Sequence, residues 1–167
     1  DDIYSHYWEM PEYTLPSCGK KVKAYSMVSE DSPLGIFCHE FSHDLGMPDL
    51  YQDPSTSAIG SWCIMDNGAW LPGSTGTRPS HLSAWCKEKL EWTTPTVITD
   101  EQTDIKVYPA SLAAIADQPK MIKIPISITG GSEYFLIEYR KKENFDYYLP
   151  SQGLLIWHID STLTTNA

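Results

Sequence analysis

Apolar positions along the chain change their spacing twice, and each change predicts a different kind of element. From Lys21 to Ser29 the alternation of Val22, Ala24 and Ser26 predicts a strand, placed along the edge of a cleft. Over residues 33 to 46 the apolar side chains Leu34, Ile36, Phe37, Phe41 and Leu45 fit one face of a helix. Asp31 or Ser32 is expected to cap that helix and Pro33 to open its first turn. Gly46 ends it, because glycine takes the left-handed conformation that turns the chain back, and Pro48 blocks a restart. A second helical stretch runs from Pro79 to about Trp92, with Leu82, Trp85, Cys86 and Leu90 on its apolar face, and is expected to pack beneath the first.

Beyond Thr93-Thr94-Pro95 the pattern becomes that of strands. They are predicted over Thr96 to Thr99, Asp104 to Tyr108, Met121 to Ile128, Tyr134 to Arg140 and Gly153 to Asp160. Residues 1 to 20 and Tyr51 to Thr77 show no period and are read as loops, the second partly buried around Trp62, Ile64, Met65 and Trp70. The fold class is therefore α+β, divided into a helical part over residues 1–94 and a β-rich part over 95–167. The acidic start at Asp1 and Asp2, without Met or a leader pattern, and the polar end over 161–167 read as cut edges of a longer protein.

Composition narrows the function. With 22 acidic against 12 basic residues the formal charge is -10, and no Lys or Arg cluster offers a track for phosphates, so nucleic acid is set aside as a partner. No apolar run approaches the ~20 residues of a membrane-spanning helix. The 4 cysteines, Cys18, Cys38, Cys63 and Cys86, include no CxxC pair, which argues against a cysteine zinc knuckle. Disulfide pairing and buried free thiols both stay open for them.

The candidate chemistry lies in His39-Glu40-Phe41-Ser42-His43-Asp44-Leu45-Gly46-Met47-Pro48-Asp49. On a helix, His39 and His43 stand four apart on one face and can converge on one zinc ion. Glu40, one step round, is placed to take a proton from an attacking water and not to bind the metal. The turn at Gly46 swings Asp49 back toward the histidines as third ligand, with Asp44, Asp53 and Glu88 as its rivals. The pattern HExxHxxGxxD resembles the metzincin pattern with aspartate in the third place. Met65, within Trp62-Cys63-Ile64-Met65-Asp66, then suits the methionine turn found beneath the metal in metzincins. Tyr51, Asp66 and Trp70 are candidates to line the cleft, with ordinary packing the favoured reading for each, and Glu138, Arg140, His158 and Asp160 are read as a strand-to-strand ion pair and turn residues.

With these pieces, and with Gly35 through His43, Leu45 through Tyr51, Gly60 through Trp70, Pro79 through Trp92 and Gly153 through Asp160, the chain resembles the immune inhibitor A family of secreted zinc metallopeptidases. The resemblance implies a metzincin-like catalytic domain truncated at its N-terminus and followed by an antiparallel β-rich region. It implies one catalytic Zn2+ at His39, His43 and Asp49, with Glu40 as catalytic base. It further implies secretion or a cell-surface location, protein or peptide substrates, and room for a structural Ca2+ site in the part not present. A degenerate metal-binding or adhesin-like module is the alternative, and the intact Glu40 argues against it.

Overall fold

The computed structural model describes residues 4–52, 56–112 and 118–163. Its elements are β1 (His6–Thr14), β2 (Lys21–Met27), α1 (Leu34–Asp44), α2 (Ala84–Lys89), β3 (Thr96–Val97), β4 (Met121–Pro125), β5 (Glu133–Arg140) and β6 (Gly153–Asp160). Short 3-10 turns lie at Gly60–Trp62, Asn67–Trp70, Ser127–Thr129 and Asn144–Tyr148. β1 and β2 pair as an antiparallel ribbon, and a second sheet runs β3-β4-β5-β6, antiparallel except for its parallel β3–β4 pair. The architecture is mixed α and β with mainly antiparallel sheets.

The first strand corrects the expectation of a loop over residues 1 to 20. β1 has no buried face, so its sequence carries no alternation to read, and Pro11 falls where the ladder slips between Glu9 and Tyr13. A proline has no N–H to give to a ladder and is tolerated at such a bulge. Three of the expected strands beyond Pro95 are also revised. β3 stops at Val97, β4 stops at Pro125, and Asp104 to Tyr108 forms no strand; next to it, Pro109 bridges to Tyr139.

Helix α1 forms where expected but starts differently. Neither Asp31 nor Ser32 caps it: Pro33 occupies the cap position without a side-chain hydrogen bond, and Asp31 accepts from the Ser29 hydroxyl instead. The first-turn amide of Gly35 donates to Gly76 O at 2.8 Å, so a neighbouring loop satisfies it. That approach requires glycine, because a Cβ at position 35 would lie 2.0 Å from Ala69 O. At the other end, Gly46 N–H donates to His43 O at 2.8 Å and Met47 N–H to Ser42 O at 3.0 Å, with Gly46 at φ +91°. This paired closure is the Schellman arrangement, and it reverses the chain within two residues.

Helix α2 covers only Ala84–Lys89, against the expected Pro79 to Trp92. The preceding amides are engaged elsewhere: Ser80 N–H donates to Gly68 O at 2.9 Å and His81 N–H to Asp146 Oδ1 at 2.9 Å. Ser83 then caps the helix, accepting from Cys86 N–H. Two buried clusters flank α2. One joins Met47, Leu50, Cys63, Ile64, Met65, Ala69, Leu82 and Cys86 beneath α1; the other joins Ala84, Met121, Tyr134 and Leu136 on the sheet, and Trp85 packs against both.

A polar core binds the sheet to the segments around α1. On β5 the buried face carries Tyr134, Leu136, Glu138 and Arg140. Arg140 donates through Nε and Nη2 to both oxygens of Asp146, at 2.8 and 2.6 Å, and through Nη1 to Trp62 O at 2.8 Å and Glu138 Oε1 at 3.3 Å. Glu138 also accepts from Ala84 N–H, Lys87 Nζ and Trp157 Nε1. The pair read from sequence as a strand-to-strand surface contact is thus a buried network. His158 does pair across strands, with Glu133 Oε2 at 2.8 Å, and Asp160 closes a turn by accepting from Thr162.

Candidate metal centre

The 3.6-residue period of α1 places His39 and His43 one above the other, and the turn at Gly46 returns the chain so that Asp49 faces both. Asp49 Oδ1 lies 3.1 Å from His39 Nε2 and 3.2 Å from His43 Nε2, and the two Nε2 atoms are 3.2 Å apart. Each imidazole is oriented through its other nitrogen: His39 Nδ1 lies 2.8 Å from Ile64 O, and His43 Nδ1 lies 2.8 Å from Met47 O. A carbonyl oxygen can only accept, so both Nδ1 atoms carry protons and both Nε2 atoms turn inward toward Asp49.

Two lone pairs and a carboxylate oxygen within about 3 Å repel one another unless a proton or a cation lies among them. A tetrahedral ion bound at ~2.0–2.2 Å to nitrogen and oxygen separates its ligand atoms by about 3.3–3.5 Å, close to the separations here. The donor set therefore fits zinc in chemistry and in size. The same juxtaposition governs the charges. Burial opposes the charged form of His39, but contact with Asp49 and the Ile64 carbonyl raises its pKa, while both histidines hold Asp49 well below the usual carboxylate range against the effect of burial.

Glu40 is buried and lines the same cleft of about 600 Å³. Burial pushes its carboxyl up; His39 and His43 pull it back, and Asp49 adds to the rise. The rivals for third ligand are engaged elsewhere. Asp44 accepts from Ser26 Oγ at 2.5 Å, and Glu88 is held by Lys123 Nζ at 2.8 Å and Tyr134 Oη at 2.9 Å. Asp53 lies outside the described residues.

Several cleft residues escape a reading of the sequence. Tyr4 through Tyr7 line it, so the cleft is bordered by the start of β1 and not by β2. The Tyr7 ring lies over His43 with centroids 5.5 Å apart, and Tyr51 stacks on His39 at 6.3 Å. Burial raises the Tyr51 hydroxyl pKa above its ordinary value, and the neighbouring Asp49 carboxylate raises it further. Tyr51, Asp66 and Trp70, favoured as packing residues, all line the cleft.

Asp66 does more than pack. Its Oδ2 accepts from Ser57 Oγ and from the amides of Ala58, Ile59 and Gly60 at 2.8–3.0 Å, and its Oδ1 accepts from Asn67 N–H at 2.7 Å. One buried carboxylate thereby folds the loop on the side of the cleft that holds His39, His43 and Asp49. Asp66→Ala would orphan four amides, and it is expected to cost about 2–4 kcal/mol, read as a lower urea midpoint at unchanged slope.

Beneath the ligands, Met65 is fully buried, and its carbonyl accepts from Leu50 N–H at 2.8 Å. The residue after Asp49 is thereby tied to the residue after Ile64, whose carbonyl orients His39. Ligand segment and underlying segment brace each other.

The sequence profile of the immune inhibitor A peptidase M6 catalytic domain matches residues 7–94, which include His39, Glu40, His43, Asp49 and Met65. Immune inhibitor A from Bacillus thuringiensis subsp. alesti is 34% identical over 107 residues, covering 56% of this chain and 16% of that protein. Pre-pro-metalloprotease PrtV from Vibrio cholerae serotype O1 is 28% identical over 113 residues, covering 61% of this chain and 12% of that protein. The chain thus spans under a fifth of the length of these relatives. On the match over residues 7–94, the chain belongs to the immune inhibitor A peptidase M6 family.

Proposed function

We propose that the chain carries the metal centre of a zinc-dependent endopeptidase acting on protein or peptide substrates at the cell surface or after secretion. One observation carries the reading: three ligand atoms, from His39, His43 and Asp49, converge within 4.8 Å of one another with both imidazole Nδ1 protons tied to carbonyls. His39, His43 and Asp49 would hold the ion. When bound, zinc supplies a Lewis acid and lowers the pKa of a coordinated water toward ~7.

The remaining work belongs to the protein's own residues. Glu40, in the same cleft, takes the proton of the attacking water and returns it to the nitrogen of the departing amine. The Ile64 and Met47 carbonyls keep the two rings in the tautomer that binds through Nε2. The buried Met65 segment serves as the methionine turn of a metzincin-like centre, and residues 1–94 form its zinc-binding part. The names of the relatives, immune inhibitor A and a pre-pro-metalloprotease, agree with this chemistry.

Metal removal tests it. Dialysis against a zinc chelator is expected to abolish cleavage of an unfolded protein substrate, and one equivalent of Zn2+ is expected to restore it. His43→Ala and Asp49→Ala variants are expected to hold less than a tenth of the wild-type zinc by elemental analysis. Full zinc content in Asp49→Ala would remove that residue from the ligand set; cleavage that survives chelation would sink the zinc mechanism.

A further inference from the structure

The metal centre uses none of the 4 cysteines, and two of them face each other in the core beneath it. Cys63 begins the segment whose next carbonyl orients His39, and Cys86 lies in the middle of α2. Both are fully buried, and their sulfurs are 3.9 Å apart. Among the described residues no other two sulfurs approach within hydrogen-bonding range; Cys18 is exposed on the turn between β1 and β2, and Cys38 lies on α1. We infer that Cys63 and Cys86 form a disulfide that fastens the segment under the metal ligands to α2.

The surroundings of the sulfurs are suited to an oxidised pair. Ser83 N–H donates to Cys63 Sγ at 3.3 Å, and Ser83 Oγ donates to Cys86 Sγ at 3.3 Å. Every neighbouring polar group that touches these sulfurs is therefore a donor, and a disulfide sulfur keeps the lone pairs that accept. Loss of both thiol protons leaves no buried partner orphaned. The backbones on both sides are already fixed, Cys63 through its carbonyl, which accepts from Asp66 and Gly68 N–H, and Cys86 through the helix. Closing the gap to the ~2.05 Å of a bond is left to side-chain rotation.

Chemically, the step requires a disulfide-bearing thiol oxidant, such as oxidised glutathione. Cys63 as thiolate attacks one sulfur of the oxidant and expels the first thiol. Cys86 then gives up its proton, attacks Cys63 Sγ in the mixed disulfide and expels the second. Two electrons and two protons pass to the oxidant, which leaves as two thiols. Because both sulfurs are inaccessible in the native fold, the exchange belongs to the folding chain.

Alkylation and melting test the inference without reference to peptidase activity. The full chain, refolded with oxidised and reduced glutathione and then denatured without reductant, is expected to take up iodoacetamide at two cysteines, Cys18 and Cys38. Reduction should raise the uptake to four. Peptide mapping with a protease that cuts between Cys38 and Cys63 should recover the Cys63–Cys86 pair. Uptake at four sites before reduction, or a bridge that uses Cys18 or Cys38, overturns the proposal. Reductant should lower the melting temperature of the refolded wild type by roughly 6–12 °C, as expected for a loop of this size, and leave that of a Cys63→Ala/Cys86→Ala variant unchanged. A wild type that melts at one temperature with and without reductant also overturns it.

Discussion

Replacing Glu40 by glutamine is expected to lower cleavage of a protein substrate by about 10²–10⁴-fold while the zinc content stays at the wild-type level. The substitution keeps the shape of the side chain but removes its ability to take a proton near neutral pH. Glu40 is buried beside His39, His43 and Asp49, and burial raises its carboxyl above its ordinary value, which strengthens it as a base, while the two histidines work against that rise. Elemental analysis beside the rate measurement separates base from ligand: lost zinc would make Glu40 a ligand, and unchanged cleavage would remove it from the chemistry. If Glu40 is the base proposed above, the effect should fall on kcat, because a group that acts on the proton in flight contributes little to holding the substrate.

Local chemistry was legible from the chain, and long-range partnership was not. The helix over residues 33 to 46 and its stop at Gly46 depend on residue spacing and on one backbone conformation, both visible in the sequence. The position of Asp49 opposite two histidines follows from that turn. What removes Asp44 and Glu88 from the centre is distant in sequence: Ser26 on β2 holds the first, and Lys123 and Tyr134 on the sheet hold the second. The same limit shortened α2: Ser80 and His81, which precede it, direct their amides to Gly68 and to Asp146, the latter 65 positions from His81. β1 was hidden for another reason: an exposed strand interrupted by a proline buries no face and so leaves no hydrophobic period.

The polar face of β5 misled most. The pattern along Tyr134 to Arg140 predicts a strand, but the buried side of β5 includes Glu138 and Arg140. The outer side of the sheet carries Leu154 and Ile156, both largely exposed. A sequence cannot reveal this inversion, because charged side chains are assigned to solvent unless their partners are known. Here the partners come from the loop at Trp62, the start of α2 and Asp146.

Arg140→Ala is therefore expected to destabilise the fold by on the order of 3–5 kcal/mol, enough to leave a domain of ordinary stability largely unfolded near 37 °C. The guanidinium is the cation shared by two buried carboxylates, with Lys87 the other positive group in contact with Glu138. Its loss leaves Asp146 ionised in a dry site and frees the Trp62 carbonyl, one residue before the segment that underlies the metal ligands. Arg140→Lys keeps the charge but not the two-pronged grip on Asp146, so it should recover only part of the loss. Combining Arg140→Met with Asp146→Asn, and keeping Glu138 as the partner of Lys87, should be far milder than Arg140→Ala, because Asp146 no longer leaves an unpaired buried charge.

Acid provides an independent reading of the same network. Burial opposes ionisation of Asp146, but Arg140 and the His81 amide overcome it and hold its carboxyl below the usual value of 3.8. The group is depressed in the folded state, so its contribution is fully present above the unfolded-state pKa and is lost as pH falls through the folded one. Wild-type stability should decline steeply below about pH 4, and Asp146→Asn should flatten that decline. A decline of equal slope in both proteins would place the acid-sensitive carboxylates elsewhere. Measured with zinc present and absent, the two curves should also separate: a loosened Trp62 segment weakens the support of His39, so Arg140 variants that still fold should bind zinc less tightly although no atom of Arg140 touches the centre.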